Sequence, residues 1–179
     1  FEELGAKRVV LARENTFDEI KKIKENSKMP LEIFAHGALC VSYSGGCLMS
    51  SMLTLRSGNR GRCSQNCRRE YTIYKDGTKF SEKGFHLSMK DLNTSKNLIE
   101  LLNIGVDSLK LEGRMKNPEY VKIVTSEYRK KIDNKDYNPK SLDSIFHRAY
   151  TKGFIFGEDK GNIVDITKKN NEGDLIGTI

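Results

Sequence analysis

Tryptophan is absent from the 179-residue sequence, and proline (3), histidine (3) and cysteine (4) are scarce. No apolar stretch approaches the ~20 residues that a membrane-spanning helix needs, so a protein of that kind is excluded and no membrane partner is expected. Few prolines and a clear recurrence of apolar residues argue against intrinsic disorder. The three histidines, His36, His86 and His147, form no H-E-x-x-H pair, and no G-x-S-x-G elbow occurs, so two common hydrolase motifs are missing. The chain is also short for one architecture: a complete (β/α)8 barrel takes about 250 residues, so any barrel here is partial. It starts at Phe1, shows no basic and apolar leader, and stops on a strand-like segment at residues 174–179. It is therefore read as a piece of a longer protein, cytoplasmic by default.

What is present alternates strand and helix signals. Residues 8–13 form a short apolar run suited to a buried parallel strand. Thr16 and Glu19 make a capping box for a helix that turns Phe17, Ile20 and Ile23 to one side and ends before Pro30. A second strand follows at residues 31–37. Such βαβ units imply an α/β fold with a parallel sheet and right-handed crossovers. The rhythm breaks over residues 38–80, which hold all four cysteines and end in a hairpin with an Asp76-Gly77 turn. It resumes with a strand at 85–89, a helix from Asn93-Thr94 through Leu102, a strand at 106–111, and a helix opened by Asn117-Pro118 that carries Val121, Val124, Tyr128 and Ile132 on one stripe. Residues 134–140 read as a linker, and a short helix begins at Ser141.

Cys40, Cys47, Cys63 and Cys67 are spaced C-x6-C-x15-C-x3-C. In a reducing compartment such a set points to a metal centre rather than to disulfides. Zinc sites favour tighter pairs, and the wide gaps suit an iron–sulfur cluster better; four unrelated buried thiols are the structural alternative. The surplus of 31 Lys and Arg over 24 Asp and Glu, a net charge of +7, fits an RNA partner and equally a solvated basic face.

Residues 32–50 carry Glu32, Phe34, Gly37, Ala38, Leu39, Cys40, Gly45, Cys47, Met49 and Ser50 at the spacing of one signature. In this the chain resembles peptidase family U32, the collagenase-like peptidases of unassigned catalytic type. Supporting matches continue at residues 59–68, at Lys110, Leu111, Glu112, Gly113, Arg114, Met115 and Lys116, and at residues 146–154. The resemblance spans about residues 9–157. It implies the later part of a TIM-like (β/α) barrel over residues 1–133, with the cysteine-rich insertion at 38–80 inside it. A linker and helical extension at 134–160 and the start of a small β-rich C-terminal domain at 161–179 complete the expected layout. Members of the family have been named proteases. Others are iron–sulfur proteins that support hydroxylation of a tRNA wobble uridine using prephenate, of a ribosomal RNA cytidine, or of a ubiquinone precursor. By resemblance Cys40, Cys47, Cys63 and Cys67 hold a 4Fe-4S cluster, the tRNA group is the nearest in layout, and a paired family subunit is a further expected partner.

Strand ends at the carboxyl edge of a barrel are where functional groups converge. Here they supply Arg13, Glu14, Glu32, His36, Glu112 and Arg114. A dicarboxylate such as prephenate calls for guanidinium partners, for which Arg114 and Arg13 are the candidates, with Glu112 and His36 as proton-transfer groups. The competing structural readings are an ion pair between Glu112 and Arg114, a register role for Glu32 and a satisfied buried His36. Arg60, Arg62, Arg68 and Arg69 are expected to meet RNA phosphates, with Tyr71 or Tyr74 stacking on a base. The alternative activity, a peptidase acting on collagen-like or other protein substrates, needs an activated nucleophile, and a Cys40/His36 pair is the one that can be drawn.

Overall fold

The computed structural model describes residues 1–157 and 162–167. In chain order its elements are β1 (Val9–Val10), α1 (Phe17–Asn26), β2 (Leu31–Ala38), α2 (Met49–Thr54), β3 (Tyr74–Lys75), β4 (Thr78–Lys79), β5 (Asp91–Asn93), α3 (Leu98–Asn103), β6 (Ser108–Leu111), α4 (Pro118–Ile132), α5 (Lys140–Asp143) and β7 (Tyr150–Thr151). The fold is mixed α/β. No helix among the described residues is long and apolar enough to cross a membrane.

Local chemistry sets the helix starts. The Thr16 hydroxyl accepts from the Glu19 amide while the Glu19 carboxylate accepts from the Thr16 amide at 2.7 Å, so α1 begins with the expected capping box. At α4, Asn117 Oδ1 accepts from the Tyr120 amide at 2.8 Å and Pro118 sits where a missing N–H costs nothing. Each helix then buries one stripe. Ile20 of α1 packs with Leu31, Ile33, Leu101 and Val106, and α4 lays Tyr120, Val124 and Tyr128 on Ala35, Leu98, Leu142 and Ile145.

β2 is the spine of the sheet. It pairs in parallel with β1 and with β6, as the βαβ reading predicts. Past its midpoint it pairs instead with β5, antiparallel, and β7 continues the sheet beside β5. The described residues thus form an open mixed sheet and close no barrel. The expected strand at residues 85–89 is absent, because its backbone groups are engaged elsewhere. Arg68 takes the Met89 carbonyl, the Lys90 amide donates to Ile163 at 2.7 Å, and the Ser88 carbonyl accepts from Asp165 at 3.0 Å. Ile163 is buried in this third cluster with Leu39, Met89 and Leu92. The remainder of the expected C-terminal domain start, at 161 and 168–179, lies outside the described residues.

Gly37 fixes how closely β6 approaches β2. Its φ is +105°, and a Cβ added there would lie 2.3 Å from the Glu112 carbonyl oxygen. The Glu112 amide donates to His36 O at 2.8 Å, so the end of β6 cannot step aside without losing a sheet bond. We expect Gly37→Ala to destabilise the protein by about 2 kcal/mol or more, read as a lower urea midpoint at unchanged slope.

Candidate functional site

Where β2 ends, the chain passes Leu39, Cys40 and a loop that reaches Cys47 just before α2. Glu14 fastens this loop by accepting from the Ser44 amide at 2.6 Å and from its hydroxyl at 3.2 Å. The return stretch brings Cys63 and Cys67. Four non-glycine residues of the insertion, Ser44, Leu55, Gln65 and Asp76, hold positive φ. Such strain persists only where the surroundings over-determine it, and at Gln65 a purpose is visible: its amide donates to Cys63 Sγ at 3.3 Å. Ser50 adds a second donor, its hydroxyl lying 3.7 Å from the same sulfur, and also accepts from the Ser64 amide at 3.1 Å.

The structure moves one expected RNA contact inside. Arg68 is buried, and its guanidinium donates to Leu39 O at 2.9 Å, to Ser88 Oγ at 3.0 Å and to the Met89 carbonyl. It cannot meet a phosphate, because its donors are spent on the end of β2 and the approach to β5. Arg60, Arg62 and Arg69 are exposed, as is Tyr74, whereas the Tyr71 hydroxyl is tied to Asn66 O at 2.8 Å.

All four cysteines line one open cleft of about 600 Å³, together with Arg13, Lys110, Glu112, Arg114, Lys116 and Arg148. That volume lies in the range of small-ligand sites. The cysteines are unpaired thiols; Cys63 is exposed and the other three are half-buried. Burial pushes the Cys67 thiol up, and the sulfurs of Cys40, Cys63 and Cys47 push it the same way, against the lowering by Arg68. Among the described residues no group of three or more His, Cys, Asp or Glu is drawn into metal-binding geometry as it stands. The donor chemistry nevertheless fits a thiolate-bound centre: four sulfurs line one cleft, three of them act on Cys67, and N–H and O–H donors are directed at Cys63.

Of the catalytic candidates, Glu112 and Arg114 reach the cleft. They form no ion pair with each other; the Arg114 amide, not its guanidinium, donates to Glu112 Oε1 at 3.1 Å. Arg13 stacks its guanidinium 4.0 Å above the Phe34 ring on the cleft wall. Glu32 faces elsewhere, bonded to Ser108 Oγ at 2.9 Å and paired with Arg8 at 3.4 Å, which is a register role. His36 is a correction. It does not line the cleft but is 1% exposed among the Tyr120, Tyr128 and Tyr150 rings. The Tyr128 hydroxyl gives its proton to Ala35 O at 2.8 Å, so its oxygen accepts from His36 Nδ1–H at 3.3 Å, leaving Nε2 as an unpartnered lone pair.

Sequence reasoning gave no role to Asp91, Lys116 and Arg148. Asp91 is fully buried on β5, accepts from Arg148 Nη1 at 3.0 Å and from the Arg148 amide at 3.2 Å, and stands 3.8 Å from Lys116 Nζ. Lys116 and Arg148 do fall in the segments that match the family signature outside the cysteines. That co-occurrence was the available signal for them.

Burial, opposed by Asp91 and aided by His147 and Lys116, pushes the His36 pKa down from 6.5 to about 4. Below pH 6.5 the unfolded chain binds a proton there that the folded chain refuses. Stability is therefore expected to fall by about 3 kcal/mol between pH 6.5 and pH 4 from this residue, and a His36→Gln variant to lose that part of the slope in urea titrations at stepped pH.

Comparison with known proteins places these features. A tRNA hydroxylation protein P1 of Bacillus subtilis is 44% identical over 140 residues, covering 74% of this chain and 33% of that protein. The 23S rRNA 5-hydroxycytidine synthase of Escherichia coli is 39% identical over 178 residues, covering 90% and 27%. A collagenase of Porphyromonas gingivalis is 33% identical over 177 residues, covering 86% and 43%. The chain spans between 27% and 46% of the length of such relatives. No solved structure matches it. The model of peptidase family U32 matches residues 1–165, nearly the whole described chain with its four-cysteine cleft, and the chain belongs to that family.

Proposed function

We propose that this chain is the cluster-holding part of an iron–sulfur protein that supports RNA hydroxylation in the cytoplasm, with a tRNA wobble uridine as its target. The observation that carries the reading is the convergence of four free thiols on one cleft whose other walls are cationic. Relatives bearing tRNA and rRNA hydroxylation names support the RNA substrate. Cys40, Cys47, Cys63 and Cys67 would hold a 4Fe-4S cluster. Bound there, the cluster supplies one-electron redox capacity. The chain's own residues do the rest. Gln65 and Ser50 direct donors at the Cys63 sulfur, and Arg13 and Arg114 present guanidinium groups to a dicarboxylate such as prephenate. Glu112 is the proton-transfer group that the cleft offers. Arg60, Arg62 and Arg69 would lie along the phosphates of the RNA.

The peptidase alternative rests on the relative named a collagenase. Its chemistry finds less support in the described residues. Ser81 Oγ meets His86 Nε2 at 3.0 Å, but that nitrogen also faces the Glu82 carbonyl at 2.8 Å and keeps its proton there. His36 is closed off from Cys40 by its aromatic surroundings, so the pair drawn from sequence does not form.

Full-length protein purified without oxygen is expected to contain iron and acid-labile sulfide, and single Cys→Ala changes at positions 40, 47, 63 or 67 to remove most of both. A colourless, iron-free protein after anaerobic reconstitution overturns the reading. Mass spectrometry of tRNA from a deletion strain should show the hydroxyuridine gone and restored by the intact gene. Replacing Arg60, Arg62 and Arg69 together by Gln is expected to weaken RNA binding and to flatten its salt dependence. The log–log slope should drop by about 0.7 for each phosphate no longer neutralised, measured by filter binding.

A further inference from the structure

Lys116 occupies an unusual position for a lysine. Its side chain is 11% exposed, yet it lines the cleft. The ammonium nitrogen lies 3.9 Å from the Phe146 ring centroid and 5.0 Å from that of Tyr120, and donates to Phe146 O at 3.3 Å. Its one acidic neighbour in reach among the described residues, Asp91, is 3.8 Å away, beyond hydrogen-bonding distance, and Asp91 is already engaged by two donors of Arg148. Against its burial, the charged form is held by one carbonyl, two ring faces and a carboxylate shared with Arg148, with no carboxylate at hydrogen-bonding distance among the described residues.

We propose that Lys116 is a carbonyl-reactive amine that captures the 2-oxo group of a small carboxylic acid as an imine. A desolvated lysine beside other cations is the arrangement that makes an amine nucleophilic at neutral pH. Burial, helped by Arg148 and Arg68 and opposed by Asp91, brings its pKa from 10.5 down to about 8. Roughly a tenth of the amine is then neutral at pH 7. The class of carbonyl compound follows from the walls. Arg13 and Arg114 line the same cleft with no ion pair among the described residues, Arg148 and Lys110 line it while paired with Asp91 and Glu32, and the Nε atoms of Arg13 and Arg148 are buried without a partner. Guanidinium groups so placed favour a ligand that carries a carboxylate. In the reaction the Nζ lone pair attacks the carbonyl carbon and forms the C–N bond. The carbon–oxygen bond then breaks, and the oxygen departs with the two amine protons as water, leaving the C=N bond. Nothing is oxidised or reduced.

The test uses full-length protein at pH 7 with pyruvate as probe and cyanoborohydride to trap the imine, followed by peptide mass mapping. Lys116 is expected to gain the reduced adduct at least tenfold faster than the exposed Lys22 and Lys122. Acetone at equal concentration, a ketone without a carboxylate, is expected to label Lys116 no faster than those surface residues. Arg114→Gln, at an exposed position, should slow labelling by pyruvate several-fold at unchanged circular dichroism. Labelling spread evenly over the lysines, or acetone labelling Lys116 as fast as pyruvate, overturns the proposal. The readout is a peptide mass, so its failure leaves the RNA hydroxylation reading standing, and a loss of tRNA hydroxylation leaves the adduct in place.

Discussion

Arg68 ties together two parts of the chain that also pair in the sheet and share an apolar cluster. Its guanidinium reaches the Leu39 carbonyl at the end of β2 and the Met89 carbonyl ahead of β5, and the Ser88 hydroxyl completes the set. A buried cation is costly unless every donor is answered, and here carbonyl and hydroxyl oxygens answer it. One side of the cleft depends on that anchor. It lies next to Cys67, so it holds the return stretch of the cysteine-rich insertion against the sheet. By taking the Met89 carbonyl it also keeps residues 85–89 out of the sheet and lets the short β5 turn antiparallel beside β2. The approach to the antiparallel β5 and the position of Cys67 thus meet at one residue.

A second constraint acts from the other side. Gly37 allows the Glu112 backbone to approach within a distance that no side chain tolerates. The loop after β6 is thereby drawn over the end of β2, where Glu112, Arg114 and Lys116 face the cysteines across the cleft. Beneath that floor lies a polar layer: Asp91 with Arg148, and His36 among three tyrosines. The cleft is thus cationic in front and backed by neutral or compensated groups.

Much of this was readable in the residues. The capping box at Thr16, the Asn117-Pro118 helix start and the β2 and β6 strands follow from local chemistry that tertiary contacts leave intact. The cysteine set drew attention to the cleft because four thiols gathered within 28 residues are the sequence's densest group of potential ligands, and all four line it. What failed did so for long-range reasons. Arg68 looks like its neighbours Arg60, Arg62 and Arg69 until the partners 20 to 29 positions away are known. His36 sits on a strand end, as a catalytic group would, but α4 arrives 92 residues later to enclose it. Asp91 gave no signal at all, since a lone Asp between an expected strand at 85–89 and a helix start at Asn93 reads as surface.

The arrangement of the thiols couples the interior of the cleft to an outer surface. Cys40 follows the end of β2, Cys47 lies just before α2, the other two lie on the segment pinned by Arg68, and α2 bridges the gap between the pairs. The apolar side chains of Met52, Leu53 and Leu55 stand out from that bridge into solvent. Drawing the sulfurs inward shortens the span that the bridge must cover, and any such contraction has to carry those three side chains along. The position of the thiols and the apolar contour offered to the outside are therefore linked through α2.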